Sequence, residues 1–295
     1  MRWAEGLIAV DWGTTNRRGY LLGPDGRLLD EVEDDQGILS VSPEGFPGAV
    51  RALRSRFGDR PLLMAGMIGS NRGWVEAPYV ACPAGPDELV RHLKWVEPGF
   101  AAIVPGVAYD AGPDADVMRG EEVQIVGAVA AGLVPPDGLL CHPGTHNKWV
   151  RLEGGRIQSF RTVMTGEMFS LLKQHSILSD LLAGPVRPGP AFEAGVRRGF
   201  GHDDLTAELF RVRARVLLGK GEEGDAASYV SGLLIGTDVR IGIGATRGED
   251  VVVMGRPELT MLFCTALTVA GRPSRGVDGE EAFLAGIRRL AELMQ

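Results

Sequence analysis

Two stretches of this chain carry side chains suited to phosphate and metal chemistry. In residues 8–22 an apolar run ends in Asp11, turns through Gly13, Thr14, Thr15 and Asn16, and leaves again through Tyr20, Leu21 and Leu22. A glycine in such a turn adopts backbone angles closed to other residues, so main-chain N–H groups can converge on an anion. The threonine hydroxyls add donors, and a carboxylate at a strand end can hold a hydrated divalent cation. An ordinary hairpin with polar turn residues reads the same way, and the stretch alone does not choose. Residues 139–152 repeat it: an apolar strand runs into Gly144, Thr145 and His146, and an alternating strand leaves through Asn147, Lys148 and Trp149. The strand–turn–strand–turn–strand unit therefore occurs twice. That predicts two similar halves whose Gly–Thr turns face one another across a cleft.

Phosphoryl transfer needs phosphate cradles, a metal, and a carboxylate that receives the acceptor hydroxyl's proton. Asp11 can serve the metal, the two turns the phosphates, and Lys148 the developing negative charge. Asp116, Glu121 and Glu122 all lie at or near the start of a helix leading to the second turn. A carboxylate there is also explained by simple capping, and spacing does not choose among the three. Other chemistries find no pattern. Gly219-Lys220 is followed by Gly221 where a P-loop needs Ser or Thr, and residues 242–247 fail the dinucleotide fingerprint at their last position. His142 and His146 flank a turn containing Pro143 and Gly144, whereas a zinc pair at that spacing needs a helix.

These residues need elements to hold them. A third strand is expected at 27–32, a helix at 43–57 behind Ser42 and Pro43, and buried strands at 61–66 and 101–106. Residues 69–86 form a long loop with Ser70, Arg72, Trp74, Glu76, Tyr79 and Cys82, either a ligand contact or a satellite core. The glycine- and aspartate-rich stretch 110–116 is read as ending at a hinge, dividing the chain into domains 1–117 and 118–295. An apolar helix, 123–132, precedes the second turn. Downstream, helical spacing covers 167–173, 191–199, 205–218 and 226–239, then a strand at 251–255 and helices at 257–269 and 280–294.

The whole chain sets the class. It has 295 residues, 44% hydrophobic and 23% charged, which suits two globular domains. Its 42 unperiodic glycines are read as tight turns, and a net charge of −7 argues against a nucleic-acid binder. Cys82, Cys141 and Cys264 lie far apart without a Cys-x-x-Cys pair, so a reducing cytoplasm is expected. The first residues lack a signal-peptide core, and the longest apolar run, 125–134, is too short to span a bilayer.

The stretch Val10-Asp11-Trp12-Gly13-Thr14-Thr15 resembles the first phosphate motif of the sugar-kinase, heat-shock-protein-70 and actin superfamily. Over nearly its full length the chain resembles the 2-dehydro-3-deoxygalactonokinase (2-keto-3-deoxygalactonate kinase) family. The residues carrying this are 11–16, Ala65-Gly66-Met67-Ile68-Gly69-Ser70, 73–79, 116–122, 143–149 and Met164-Thr165-Gly166-Glu167. The resemblance implies an α/β fold of two ribonuclease-H-like (actin-like ATPase) domains, with mixed five-stranded sheets flanked by helices and the active site in the interdomain cleft. It implies an ATP- and Mg²⁺-dependent kinase that phosphorylates the terminal hydroxyl of a 2-keto-3-deoxy sugar acid. Related kinases carry Gly-Asp-Gln where this chain has Gly120-Glu121-Glu122 and use that Asp as base, which points to Glu121, with Asp116 in reserve. Asp11 then holds the metal, while Gly13, Thr14, Thr15, Asn16, Gly144, Thr145, His146 and Lys148 surround the phosphates. The superfamily's adenosine motif has two glycines where this chain has only Gly255, followed by Arg256. For the sugar acid's carboxylate the candidates are Arg17, Arg72 and Arg119, in a pocket with Ser70, Trp74, Glu76 and Tyr79. The partners expected are ATP and the sugar acid, with no nucleic acid and no membrane; a homodimer is compatible with the chain but not read from it. Two rivals remain: a kinase for another sugar or sugar acid, and a non-catalytic ATP-binding sensor on the same fold.

Overall fold

The computed structural model describes residues 2–244 and 248–294. The stretch 242–247, rejected above as a dinucleotide fingerprint, runs at 245–247 outside the described residues. The chain opens with β1 (Leu7–Trp12), β2 (Arg17–Leu22) and β3 (Leu28–Asp34), followed by α1 (Phe46–Phe57) and β4 (Leu62–Gly66). Next come β5 (Tyr79–Ala81), α2 (Pro86–Arg91), β6 (Lys94–Glu97), β7 (Ala101–Ile103), β8 (Gly106–Ala111), β9 (Asp114–Met118) and α3 (Glu121–Ala130). The strand–turn–strand unit recurs as β10 (Gly138–His142), β11 (Asn147–Glu153) and β12 (Arg156–Val163). Four helices follow: α4 (Thr165–His175), α5 (Pro190–Gly201), α6 (Leu205–Leu217) and α7 (Ala226–Ile243). The last described elements are β13 (Val251–Gly255), α8 (Pro257–Val269), β14 (Ser274–Asp278) and α9 (Gly279–Leu293).

The two main sheets share one strand order. The first runs β3-β2-β1-β4-β7-β6, the second β12-β11-β10-β13-β14. In each, a hairpin strand pair lies beside the first strand and parallel strands extend the other side: β1 pairs parallel with β4, and β10 with β13. The expected five strands are met by the second sheet. The first gains β6, which pairs antiparallel with β7, and a separate three-stranded sheet, β5-β8-β9, completes the inventory.

The chain divides into two compact units that are not continuous in sequence. One comprises Met1–Asp137, Leu152–Ser159 and Gly279–Gln295, the other Gly138–Arg151 and Phe160–Asp278. This differs from the expected cut at 117/118, because α3 and the last helix both belong with the first sheet. The stretch read as leading up to a hinge is itself ordered structure: β8 and β9 form an antiparallel hairpin closing at Gly112, whose φ of +73° suits the turn. Glycine and aspartate enrichment there marks an exposed hairpin, not a linker.

The first unit's core packs Ile8, Val10 and Trp12 of β1 and Met64 of β4 against Phe46, Val50 and Leu53 of α1. The second packs Leu139 and Cys141 with Val251 and Val253 against Phe192, Val196, Val239, Phe263 and Leu267. Several glycines do something other than turn. A Cβ on Gly195 or Gly199 of α5, or on Gly232 or Gly236 of α7, would overlap backbone of the facing helix. Gly127 of α3 and Gly286 of α9 stand in the same relation. Such helices touch main chain to main chain, so burial there comes from close approach instead of large side chains.

Candidate active site

The first turn is built so that its amides face one way. The carbonyls of Gly13, Thr14 and Thr15 accept hydrogen bonds from Ile38, Leu39 and Gly37, at 3.0, 3.2 and 3.1 Å. In a trans peptide the N–H points opposite to the C=O. The N–H groups of Thr14, Thr15 and Asn16 therefore face away from the 37–39 segment, as an anion-binding nest requires. Thr14, Thr15 and Asn16 are exposed, and Thr15 Oγ1 donates to Asn16 Oδ1 at 2.8 Å. Gly37 makes this possible, because a Cβ on it would strike Thr14 and Thr15 backbone.

Asp11 lies one residue before the end of β1, in register with Arg18 of β2 and Ala65 of β4. Beside it Gly66 is bare: an added Cβ would lie 2.7 Å from Trp12 O and 3.5 Å from Asp11 Oδ1. A Cβ added to Gly120 would in turn lie 3.2 Å from Gly66 Cα. The start of α3 thus packs onto the strand end that carries Asp11. Two glycines at positive φ, +93° at Gly66 and +110° at Gly120, permit that approach.

At that helix start the two glutamates differ. Glu121 is half-buried and its Oε2 accepts from Arg119 N at 3.0 Å. Glu122 is fully buried; its Oε2 accepts from Gly120 N at 2.7 Å and its Oε1 has no hydrogen-bond partner among the described residues. Burial, reinforced by Glu121, pushes the Glu122 carboxyl up to about 8. Glu122 is thereby a neutral structural acid at pH 7. Between its ordinary value and about 8 the unfolded chain has lost this proton while the folded chain keeps it, so stability falls as pH rises through that window. Glu122→Gln cannot ionise in either state. From pH 5 to 8 its unfolding free energy is expected to fall less steeply than the wild type's, by up to roughly 1.4 kcal/mol per pH unit. Identical pH slopes in thermal or urea unfolding would refute this.

The cations sort themselves. Arg17 is buried, forked onto Asp34 with Nε–Oδ1 at 3.2 Å, and stacked on Trp12 at 5.0 Å, so it belongs to the core and corrects the expectation of a substrate contact. Arg72 is exposed. Arg119 lies over the Tyr79 ring at 4.3 Å and donates from Nη2 to Ala77 O at 2.8 Å. Its Nε and Nη1 are buried and have no hydrogen-bond partner among the described residues. Ser70 is buried, its Oγ donating to Met67 O at 2.7 Å, while Trp74 is half-buried and Glu76 and Tyr79 are exposed. Asp116 sits on β9 opposite Tyr109, its Oδ1 accepting from Val117 N.

In the second unit the turn between β10 and β11 carries Gly144, Thr145 and His146, the last two exposed. Lys148 is buried on β11. Gly255 ends β13 against Pro143, 3.4 Å from its carbonyl oxygen as measured from an added Cβ. Exposed Arg256 precedes α8. One residue escaped the sequence reading. Asp238, wholly buried on α7, accepts from Asn147 Nδ2 at 3.1 Å, Trp149 Nε1 at 2.6 Å and Thr165 Oγ1. Its signal was present: it is the lone charge in the otherwise uncharged run 226–239.

Two sheets of one strand order, each opening on a Gly–Thr turn, define an α/β protein of the actin-like ATPase fold. The component A of (R)-2-hydroxyglutaryl-CoA dehydratase from Acidaminococcus fermentans shares that fold, with a TM-score of 0.54 at 12% identity over 98% of this chain and 99% of that one. The profile of the 2-keto-3-deoxy-galactonokinase family matches residues 11–290, and the chain belongs to that family of carbohydrate kinases. The 2-dehydro-3-deoxygalactonokinase of Escherichia coli (strain K12) is 36% identical over 288 residues, 96% of this chain and 97% of that protein. A crystal structure from Sinorhizobium meliloti, carrying the same enzyme name, superposes with a TM-score of 0.91 at 34% identity, covering 98% of this chain and 99% of the other.

Proposed function

We propose that the protein transfers the γ-phosphoryl group of ATP to the terminal (C6) hydroxyl of 2-dehydro-3-deoxy-D-galactonate. The product is 2-dehydro-3-deoxy-6-phosphogalactonate, a step in the cytoplasmic breakdown of D-galactonate. Family membership supports the reaction class, and one local observation carries the mechanism: Asp11, bare Gly66 and the Gly120–Glu121 helix start lie together in the first unit. Glu121 takes the proton of the acceptor hydroxyl as that oxygen attacks the γ-phosphorus and ADP departs. The amides after Gly13 and the turn of Gly144 and Thr145 hold phosphate oxygens, with Thr14, Thr15, His146 and Lys148 as side-chain contacts. Gly255 lies toward the nucleoside.

The donors suit Mg²⁺. That ion is held through one or two carboxylates, with water and phosphate completing its shell, and Asp11 beside a residue lacking a Cβ offers such a place. When bound, the ion neutralises charge on the phosphates. For the substrate carboxylate, Arg119 is favoured over Arg17 and Arg72, because a buried guanidinium with unpaired donors gains most from an anion.

ADP release measured against a panel of 2-keto-3-deoxy acids, differing only in hydroxyl configuration, tests the reading. Turnover is expected with the galacto acid and to be weaker with its epimers. Preference for an epimer would reassign the substrate, and no acid-dependent ADP release would favour the ATP-binding sensor. In the same assay Arg119→Met is expected to raise KM for the acid at least ~10-fold, the scale of a lost charge-assisted hydrogen bond. An unchanged KM would remove Arg119 from the site.

A further inference from the structure

We propose that Glu167 and Asp238 are positioning residues of the second anion-binding turn, locking residues 144–146 from its two sides in the shape that receives nucleotide phosphate. This rests on the reading of that turn as a phosphate site, and the experiment below separates the two.

A turn that binds an anion through backbone groups is useful only if those groups are already aimed. Residues 144–146 lie between strands, and Thr145 and His146 are exposed, so something else must hold them. The first turn of α4 lies directly on this loop. A Cβ added to Gly166 would sit 2.5 Å from Gly144 O and 2.8 Å from Thr145 Cα, so only glycine lets the helix come this close. Glu167 then grips the loop twice. Its N–H donates to Thr145 O at 3.0 Å, and its carboxylate Oε2 is hydrogen-bonded to His146 Nε2.

Asp238 fixes both sides of that grip from behind. Its Oδ2 accepts from Thr165, the residue opening α4. Its Oδ1 accepts from Asn147 and Trp149, alternate residues of the strand leaving the turn. One carboxylate on α7 thus ties the helix that closes on the loop to the strand that departs from it. A buried carboxylate costs several kcal/mol in desolvation, and an apolar residue of similar volume often serves stability as well or better. What an apolar residue cannot do is orient three donors at once. The Thr165-Gly166-Glu167 run thereby acquires a role: Thr165 anchors, Gly166 admits, Glu167 holds.

The test measures MgADP affinity by titration calorimetry, and KM for ATP and for the sugar acid, in Glu167→Gln, Asp238→Asn and Thr145→Ala, with thermal unfolding of each. Glu167→Gln and Asp238→Asn are expected to weaken MgADP about 3- to 10-fold and raise KM for ATP in step, leaving KM for the acid within about twofold. Glu167 is partly exposed, so its variant reports even if Asp238→Asn fails to fold. MgADP affinity unchanged in folded Glu167→Gln overturns the proposal, as does an equal rise in both KM values, the mark of general loosening. If Thr145→Ala weakens MgADP while the other two do not, positioning fails and the phosphate reading stands. If all three leave MgADP affinity at the wild-type value, the phosphate reading itself fails.

Discussion

Glu121→Gln is expected to lower kcat at least ~100-fold while MgADP affinity stays within about twofold, the scale of a lost general base. The amide keeps the side chain's size and can still accept from Arg119 N, so the start of α3 need not move. It cannot take a proton. Among the acids near the helix start, Glu122 is buried and holds its proton at pH 7, which disqualifies it as a base there. Asp116 lies on the β8–β9 hairpin, before the helix start that packs onto Gly66 beside Asp11. Two neighbouring carboxyls whose environments divide their roles are a common arrangement in acid–base sites. Glu121→Asp would shorten the reach by one methylene and is expected to retain more activity than Gln. Single-turnover phosphoryl transfer checks both variants, and wild-type kcat in Glu121→Gln would sink the assignment.

Gly127→Ala is expected to cost about 2–3 kcal/mol, the upper range for overpacking. Its Cβ would overlap Ala282 O and Gly286 N, both main-chain atoms of α9. No flexible side chain can yield there, so the helix pair must separate. Because α3 also carries Glu121, the same shift should reduce kcat beyond what lost stability explains. Urea unfolding supplies the first number and steady-state rates of the folded fraction the second. A variant as stable as wild type would mean that α3 and α9 have slack.

Much of the fold was legible because the strands that start each unit are apolar runs broken by Gly–Thr turns, and turn chemistry is local. Elements at sheet edges were not. β14 reads Ser-Arg-Gly-Val-Asp with only Val277 buried, and it joins the sheet through parallel pairing with β13, which no periodicity reveals. β6 is similarly half-exposed. In the site, backbone-turn residues were readable from type and order, but side-chain commitments were not. Arg17 was read as a candidate for the substrate carboxylate because its partner, Asp34, comes into register only once β2 and β3 pair. The glycines of α3, α5, α7 and α9 look like turn formers until the helices are seen touching. Asp238 was hidden by its apolar helix, where a lone charge was the available clue.

The placement of α9 bears on how this protein is made. The helix that covers α3 in the first unit leaves the ribosome long after β1 of the same unit. Residues 138–278, which contain the whole of the other unit, are synthesised in between. During synthesis the first sheet must therefore wait with the glycine face of α3 uncovered, while the second unit has all its residues in hand. Chains stalled before α9 should accumulate with the second unit ordered and the unit bearing Asp11 and Glu121 still open to proteases and chaperones.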